Sequence, residues 1–207
     1  AGWRSPCRAA AAELQLEDYK PGDKLIPFKV LDGTFKGSDL VGIRYHQLIP
    51  WFKPLEGDAF RVIPGDYVST DEGTTGIVHI APTFGADDKK VAAAAGIPPM
   101  MVLDKNGNPQ PQVDHDGRFC LLEDLDPEYV ATHVAPEYKE YAGRFVKNAF
   151  DDSLPKDAPT LDIDLCMMMK MDGRAFKIQK HVHSYPHSWR TDKPVLYYPL
   201  DAWFIKT

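Results

Sequence analysis

The stretch 73-GTTGIVHIAPTFGADDKKVAAAAG-96 decides how the fold is interpreted, because it joins two kinds of secondary structure across one short turn. Apolar residues in 76-GIVHIA-81 predict a strand, in which His79 points to the opposite face from its two neighbours. Residues 86–96 carry acids first, alanines within and glycine last, which is the order expected of a helix. The stretch therefore predicts a strand, a turn and a helix, with a histidine and two acids nearby.

Turns and short strands are predicted for much of the remaining chain. It contains 18 Pro and 15 Gly, and its apolar residues alternate more often than they recur at helical spacing. The segments 104-DKNGNP-109 and 114-DHDG-117 predict tight turns, because Asn, Asp and Gly tolerate positive φ. Further strands are predicted at 25–31, 59–69, 100–103 and 174–185. The pattern indicates a β-rich α+β fold with helices on the outside.

Two further segments have less regular patterns. Residues 136–154 fit either one helix, which Gly143 would weaken, or two short turns. The methionine-rich run 166-CMMMKM-171 predicts core or a flexible buried patch rather than a set of metal ligands.

Composition narrows the class of protein. A chain of 207 residues with 43% apolar residues suits one main domain, and it contains no apolar run near the roughly 18 residues that a membrane helix needs. Three Cys without a close pair fit a reducing compartment, so we expect a cytoplasmic protein without membrane partners. A net charge of -6 disfavours nonspecific coating of nucleic acid but allows a site that holds only its end.

The residues alone allow several interpretations of the functional site. The simplest interpretation of the first stretch is a surface histidine followed by a helix-capping Asp87 or Asp88. The run 181-HVHSYPH-187 suggests a zinc hydrolase using His181, His183 and His187, although no Cys or carboxylate lies at a familiar spacing. A nucleophile elbow and a phosphate-binding loop are both absent from the sequence.

Three segments taken together are more specific than any one. They are 76-GIVHIAPTFGADD-88, 140-EYAGRFVKNA-149 and 181-HVHSYPHSWRTDKPVLYYPLDAWFIK-206. In their order and spacing they resemble the editing domain inserted into isoleucyl-tRNA synthetase. The first pattern is shared with the valine enzyme, whereas H-S-Y-P-x-x-W-R followed by W-F favours the isoleucine enzyme. The resemblance implies a distorted β-barrel with peripheral helices.

The resemblance also implies roles for individual residues. Asp88 matches the aspartate that binds the α-ammonium group of the aminoacyl ester, and His79 matches a histidine that lines the side-chain pocket and helps to exclude isoleucine. These two are the expected catalytic residues, although His79 is not expected to act as a general base. Thr75, Gly76 and Pro82 are expected to shape the wall of the substrate site.

The family also sets expectations for partners and boundaries. The partners would be the aminoacylated 3′ end of tRNA(Ile) and the remainder of the synthetase chain. No cofactor or metal is expected in this segment, while the parent enzyme would use ATP and Mg. We expect residues 1–15 to be a tail or an expression-derived segment, 16–185 the editing domain, and 186–207 strands returning toward a catalytic domain. The Thr-rich segment that forms a second wall in the family has no match upstream of Gly73, so binding without hydrolysis is an alternative.

Overall fold

Two compact units make up the chain. The computed structural model describes residues 17, 19–24, 26–29, 33–71, 75–155, 157–180, 182–200, 203 and 205. One unit combines the residues up to 34 with 154–184, and the larger unit combines 35–153 with 185–207. Among the described residues, no helix is both long and apolar enough to cross a membrane.

The regular elements are short. Strands β1 (Val102–Leu103) and β2 (Pro109–Gln110) form a two-stranded antiparallel sheet in the larger unit. The α-helices of the described residues are α1 (Ala86–Ala94) and α2 (Pro127–His133) in the larger unit and α3 (Leu161–Met171) in the smaller unit. Within the described ranges, 3-10 helices span Gly37–Leu40, Leu122–Asp124, Pro136–Glu140 and Asn148–Phe150. Mixed helix and strand content is confirmed, and the sheet of the described residues is open.

An aromatic cluster around Tyr138 forms the core of the larger unit. The Tyr138 side chain is fully buried, with the Phe52 ring 4.4 Å and the Trp51 ring 5.8 Å from it between centroids. The Tyr138 hydroxyl donates a 2.6 Å hydrogen bond to the carbonyl of Cys120. Burying the ring stabilises the unit, and this bond satisfies the hydroxyl that is buried with it.

Both predicted turns are confirmed. An Asp104 carboxylate oxygen accepts 2.8 Å hydrogen bonds from the N–H groups of Asn106 and Asn108. The backbone bond from Asn108 is the largest cause of the lowered pKa of Asp104. Gly107 and Gly117 occupy the left-handed region at φ +78° and +84°, as the turns require.

Three strand predictions are wrong within the described residues. Segments 26–29, 75–81 and 174–185, without His181, contain no strand, and residues 25, 30 and 31 lie outside the described part. A strand needs a hydrogen-bonded neighbour, yet residues 78–80 exchange no main-chain hydrogen bond with any other described residue. The pattern of apolar residues was misleading because both faces of the segment 76–81 are exposed to solvent. Ile77 is 56% and Val78 52% exposed.

The other two strand predictions are partly confirmed. Residues 100–103 contain β1. Within 59–69, Arg61 forms an antiparallel bridge with Arg44, and the N–H of Tyr45 donates to the carbonyl of Phe60 over 3.0 Å. The pairing stays short because Phe60 has a φ of +57°, which interrupts an extended strand.

The helix predictions have a mixed outcome. The helix predicted at 86–96 is confirmed as α1, and 136–154 forms two short 3-10 turns separated by Gly143 at φ +77°. The interpretation of 166–171 as buried is wrong for Met167 and Met171, which are 48% and 60% exposed on α3. Sequence reasoning also missed that this run is helical.

Replacing Tyr138 with Phe tests the core. The change leaves the buried carbonyl of Cys120 without the hydroxyl, so we expect the free energy of unfolding to fall by about 1–3 kcal/mol in urea titration. Tyr197→Phe is the matched control. Because Tyr197 is 62% exposed, the free energy of unfolding of this variant should hardly change. Equal losses in the two variants would contradict the assigned role of the Tyr138 hydroxyl.

Thiol labelling tests the burial of Cys120. Desolvation, followed by the charges of Asp114 and Asp124, raises the pKa of the Cys120 thiol to about 11. Because the thiolate is the reactive form, iodoacetamide should modify Cys120 more slowly than the half-buried Cys166 at pH 8, and its rate should increase up to pH about 11. Peptide mass spectrometry gives the two rates. Faster labelling of Cys120 than of Cys166 would be inconsistent with this core.

Candidate functional site

A tight turn begins the segment predicted to hold the site. The Thr75 hydroxyl donates to the carbonyl of Ile77 over 2.9 Å and accepts from its N–H over 3.3 Å. Gly76 lies between them at φ +70°, a conformation that residues with a side chain rarely adopt. Thr75 and Gly76 therefore shape the backbone of the loop, and the Thr75 hydroxyl is already engaged by this turn.

A second turn precedes α1 and is anchored to the core. The N–H groups of Phe84 and Gly85 donate to the carbonyl of Ala81 over 3.0 and 2.8 Å, with Pro82 half-buried inside the turn. The buried Thr83 hydroxyl donates over 2.8 Å to the carbonyl of Met100. Sequence reasoning missed Thr83; its only signal was a hydroxyl residue placed between apolar neighbours.

The two adjacent acids at the start of α1 have different environments. The Asp87 side chain is 91% exposed and lies 3.2 Å from the ammonium group of Lys90. Asp88 is half-buried, and its Oδ2 accepts a 2.8 Å hydrogen bond from the N–H of Ala81. Asp88 thus returns over the turn instead of capping its own helix, and this bond holds the carboxylate in one orientation.

The second oxygen of Asp88 has no hydrogen-bond partner among the described residues. Oδ1 makes no hydrogen bond or ion pair with any other described residue. The first turn of a helix also favours negative charge, because its N–H groups point toward that end. A fixed carboxylate with one available oxygen is suited to binding a cation such as an alkylammonium group.

His79 lies upstream in the same loop and is exposed to solvent. No hydrogen bond joins it to Asp88 within the described part of the chain. Of its two neighbours, Val78 is 52% exposed and Ile80 is half-buried. The structure places all five predicted site residues on one loop and α1.

A cavity of about 470 Å³ lies elsewhere in the larger unit. Its lining residues are His115, Asp116, Arg118, Phe145, Phe150, Lys193, Pro194 and Leu196. The Arg118 guanidinium lies 4.3 Å from the centroid of the Phe145 ring, and the Lys193 ammonium is 2.7 Å from Asp152. Hydrogen bonds from Ser153 chiefly lower the pKa of Asp151, with smaller contributions from Arg118 and Lys193. Cations and carboxylates are thus mixed around this cavity.

The histidine run gives no support to a zinc site. No group of three or more potential ligands is found within the described ranges, and His181 lies outside them. His187 Nδ1 lies 2.8 Å from the carbonyl of Tyr185, and His183 Nδ1 lies 2.8 Å from that of Ser184. Both rings are therefore oriented by neighbouring carbonyls.

The chain turns back on itself after these histidines. His187 bridges Pro194, the N–H of Ser188 donates to the carbonyl of Lys193, and Asp192 has a φ of +55°. Trp203 is fully exposed. Return of residues 186–207 toward a catalytic domain stays a prediction, as do the other predicted domain boundaries.

Known proteins resemble almost the whole chain. No protein-family model matches it. An isoleucine–tRNA ligase of Bacteroides fragilis is 63% identical over 198 residues, which are 95% of this chain and 17% of that relative. The ligase of Porphyromonas gingivalis is 58% identical over 91% of this chain, and that of Clostridium tetani is 33% identical over 99%. The chain spans about 17% of the length of such relatives. By this similarity, the chain is homologous to one segment of the isoleucine–tRNA ligases.

Proposed function

We propose that this chain is part of the editing module of an isoleucine–tRNA ligase and carries one wall of the site that hydrolyses valine from misacylated tRNA(Ile). The relatives' names support the parent enzyme. The observation that carries the site is the Asp88 carboxylate, which one hydrogen bond from Ala81 holds over the turn.

An editing site is needed because the site that selects isoleucine for ligation has a physical limit. A pocket that accepts isoleucine excludes valine poorly, because one missing methylene is worth only about 1–3 kcal/mol, and this pair of amino acids is the standard example of that limit. A smaller pocket that admits valine and excludes isoleucine can remove the error afterwards. Its reaction is attack of water on the ester carbonyl, which releases valine and leaves the ribose hydroxyl on the tRNA.

In this proposal Asp88 binds the α-ammonium group of the aminoacyl ester. The bond from Ala81 occupies Oδ2 and leaves Oδ1 to accept from the ammonium group. A charge-assisted hydrogen bond of this kind both holds and orients the ester. Asp87 is unsuited to this role because it extends into solvent beside Lys90.

His79 acts by size rather than as a base. In the proposal it limits the side-chain pocket so that isoleucine does not fit, while Thr75, Gly76 and Pro82 form the wall beside it. Their conformations are supported by the Thr75 turn and by the half-buried Pro82. Rate enhancement then comes largely from placing water and the ribose hydroxyl against the ester.

The whole enzyme would ligate isoleucine to tRNA(Ile) with ATP and Mg, in the cytoplasm. This segment would use no cofactor, and its partners would be the aminoacylated tRNA end and the other parts of the synthetase. In the complete domain we expect the two-stranded sheet and the isolated bridges of the larger unit to belong to a distorted barrel.

Binding without turnover is the second candidate. It is favoured by one observation: His79, which would have to limit the side-chain pocket, is exposed to solvent. A valine-enzyme editing domain is less well supported, because the relatives quoted above are all named as isoleucine ligases.

Asp88→Asn tests the carboxylate directly. Asn keeps an oxygen for the N–H of Ala81 but loses the charge, so we expect deacylation of valyl-tRNA(Ile) to slow by roughly tenfold to a hundredfold. The matched control is Asp87→Asn, which should retain the original rate because Asp87 is 91% exposed. Equal rates in all three proteins would remove Asp88 from its role. If the unchanged chain binds an amide-linked valyl-adenosine but cleaves no ester, binding without turnover replaces hydrolysis.

His79→Ala tests size exclusion. Removing the imidazole enlarges the pocket, so isoleucyl-tRNA(Ile) should become a substrate while valyl-tRNA(Ile) is still deacylated. The ratio of the two deacylation rates is the measurement, because a general loss of folding lowers both rates together. A loss of valyl-tRNA(Ile) deacylation with no gain for isoleucyl-tRNA(Ile) would contradict the assignment.

A further inference from the structure

Gly85 differs from the turn glycines of this chain. Ten described glycines have a positive φ, which by itself explains why a side chain is absent there. Gly85 has a φ of -90° and a ψ of 123°, values that any residue adopts. It is also the N-cap of α1, a position where Ser, Thr, Asp and Asn satisfy helix N–H groups with their side chains. The backbone conformation does not require a glycine here, and as an N-cap glycine ranks below Asn, Asp and Ser.

The Asp88 side chain explains it. A Cβ atom at position 85 would lie 2.5 Å from Oδ2, 2.8 Å from Cγ and 3.0 Å from Cβ of Asp88, and these are the three nearest atoms. Contacts this short are far inside the usual carbon–oxygen separation. Any side chain at position 85 therefore requires the Asp88 carboxylate to move from the position in which it accepts the 2.8 Å bond from Ala81.

We infer that Gly85 is a positioning residue for the reaction, which keeps open the space that the Asp88 carboxylate needs to face an ammonium ligand. Oδ2 lies in the space that a side chain at position 85 would take, and there it accepts the hydrogen bond from the N–H of Ala81. Gly85 touches no substrate and acts through Asp88. This inference rests on the function proposed above.

Two substitutions separate this role from helix capping. Gly85→Ala introduces the Cβ and provides no cap, whereas Gly85→Ser introduces the same Cβ with a good capping hydroxyl. A steric role predicts that both variants lose recognition of the ammonium group. A capping role predicts that the serine variant recognises it at least as well as the unchanged chain. Gly37→Ala is the matched control, because a Cβ at Gly37 meets nothing within 4 Å.

The experiment measures recognition of the ammonium group. The probes are adenosine carrying valine through an amide bond on the ribose, and the same compound with its amine acetylated. The unchanged chain should bind the free amine at least about tenfold more tightly, since an ion-assisted hydrogen bond is lost on acetylation. This preference should disappear in Gly85→Ala, Gly85→Ser and Asp88→Ala, and persist in Gly37→Ala. A general structural effect weakens both probes equally and leaves the ratio unchanged.

Each outcome has a distinct meaning. If Asp88→Ala abolishes the preference but both Gly85 variants keep it, the positioning role is overturned and the proposed function stands. If the unchanged chain shows no preference, the proposed function fails and this inference fails with it.

Urea unfolding of a double-mutant cycle tests the steric link independently of any ligand. Gly85→Ala should destabilise the chain clearly when Asp88 is present and much less in the Asp88→Ala background, because most of the collision is with Oδ2 and Cγ. Equal destabilisation in both backgrounds would overturn the link between Gly85 and Asp88.

Discussion

The larger unit depends on the main-chain carbonyls of residues 100–103, which join the candidate loop to the core. The carbonyl of Met100 accepts from the Thr83 hydroxyl over 2.8 Å, and that of Met101 from the Tyr129 hydroxyl over 3.4 Å. The carbonyl of Leu103 accepts from the N–H of Asp126, whose side chain caps α2. Val102 between them is fully buried. One short extended segment thus connects the turn before α1 with α2.

From this anchor the site is built by local hydrogen bonds. Thr83 holds the turn, the turn presents the N–H of Ala81, and that N–H orients Asp88. Asp87 and Asp88 are adjacent in sequence, but Asp87 is exposed beside Lys90 whereas Asp88 is half-buried and accepts from the N–H of Ala81. A carboxylate that is already held in place loses little conformational freedom when a ligand binds, so the free energy of binding is not reduced by the cost of ordering it.

What could be predicted from the sequence was mostly local. The turns at 104–109 and 114–117 and helix α1 follow from residue types within a few positions, and all three are confirmed. Helix α3 was missed, although Thr160 before it, acids in its first turn and Gly173 after it mark a helix. Its methionines suggested burial, and burial depends on distant neighbours that no local pattern reveals.

The site was predicted only in part for the same reason. Family resemblance singled out Asp88, but neither the bond to Ala81 nor the steric demand on Gly85 is visible without coordinates. The prediction of a strand at 76–81 was wrong because alternating apolar residues indicate only which face would be apolar. A strand also needs a hydrogen-bonded partner strand. Thr83 was overlooked because a buried threonine is distinguished by its acceptor, the carbonyl of Met100, which lies 17 positions away.

The most direct measurement follows the amide resonance of Ala81 while amide-linked valyl-adenosine is added. An ammonium group binding to Oδ1 of Asp88 withdraws charge from the carboxylate, which weakens the bond that Oδ2 accepts from the N–H of Ala81. The account predicts that the Ala81 amide shifts with the free amine and does not shift with the acetylated compound. Identical shifts with both compounds, or binding that leaves Ala81 unchanged, would contradict the assignment of Asp88 as the group that recognises the ammonium.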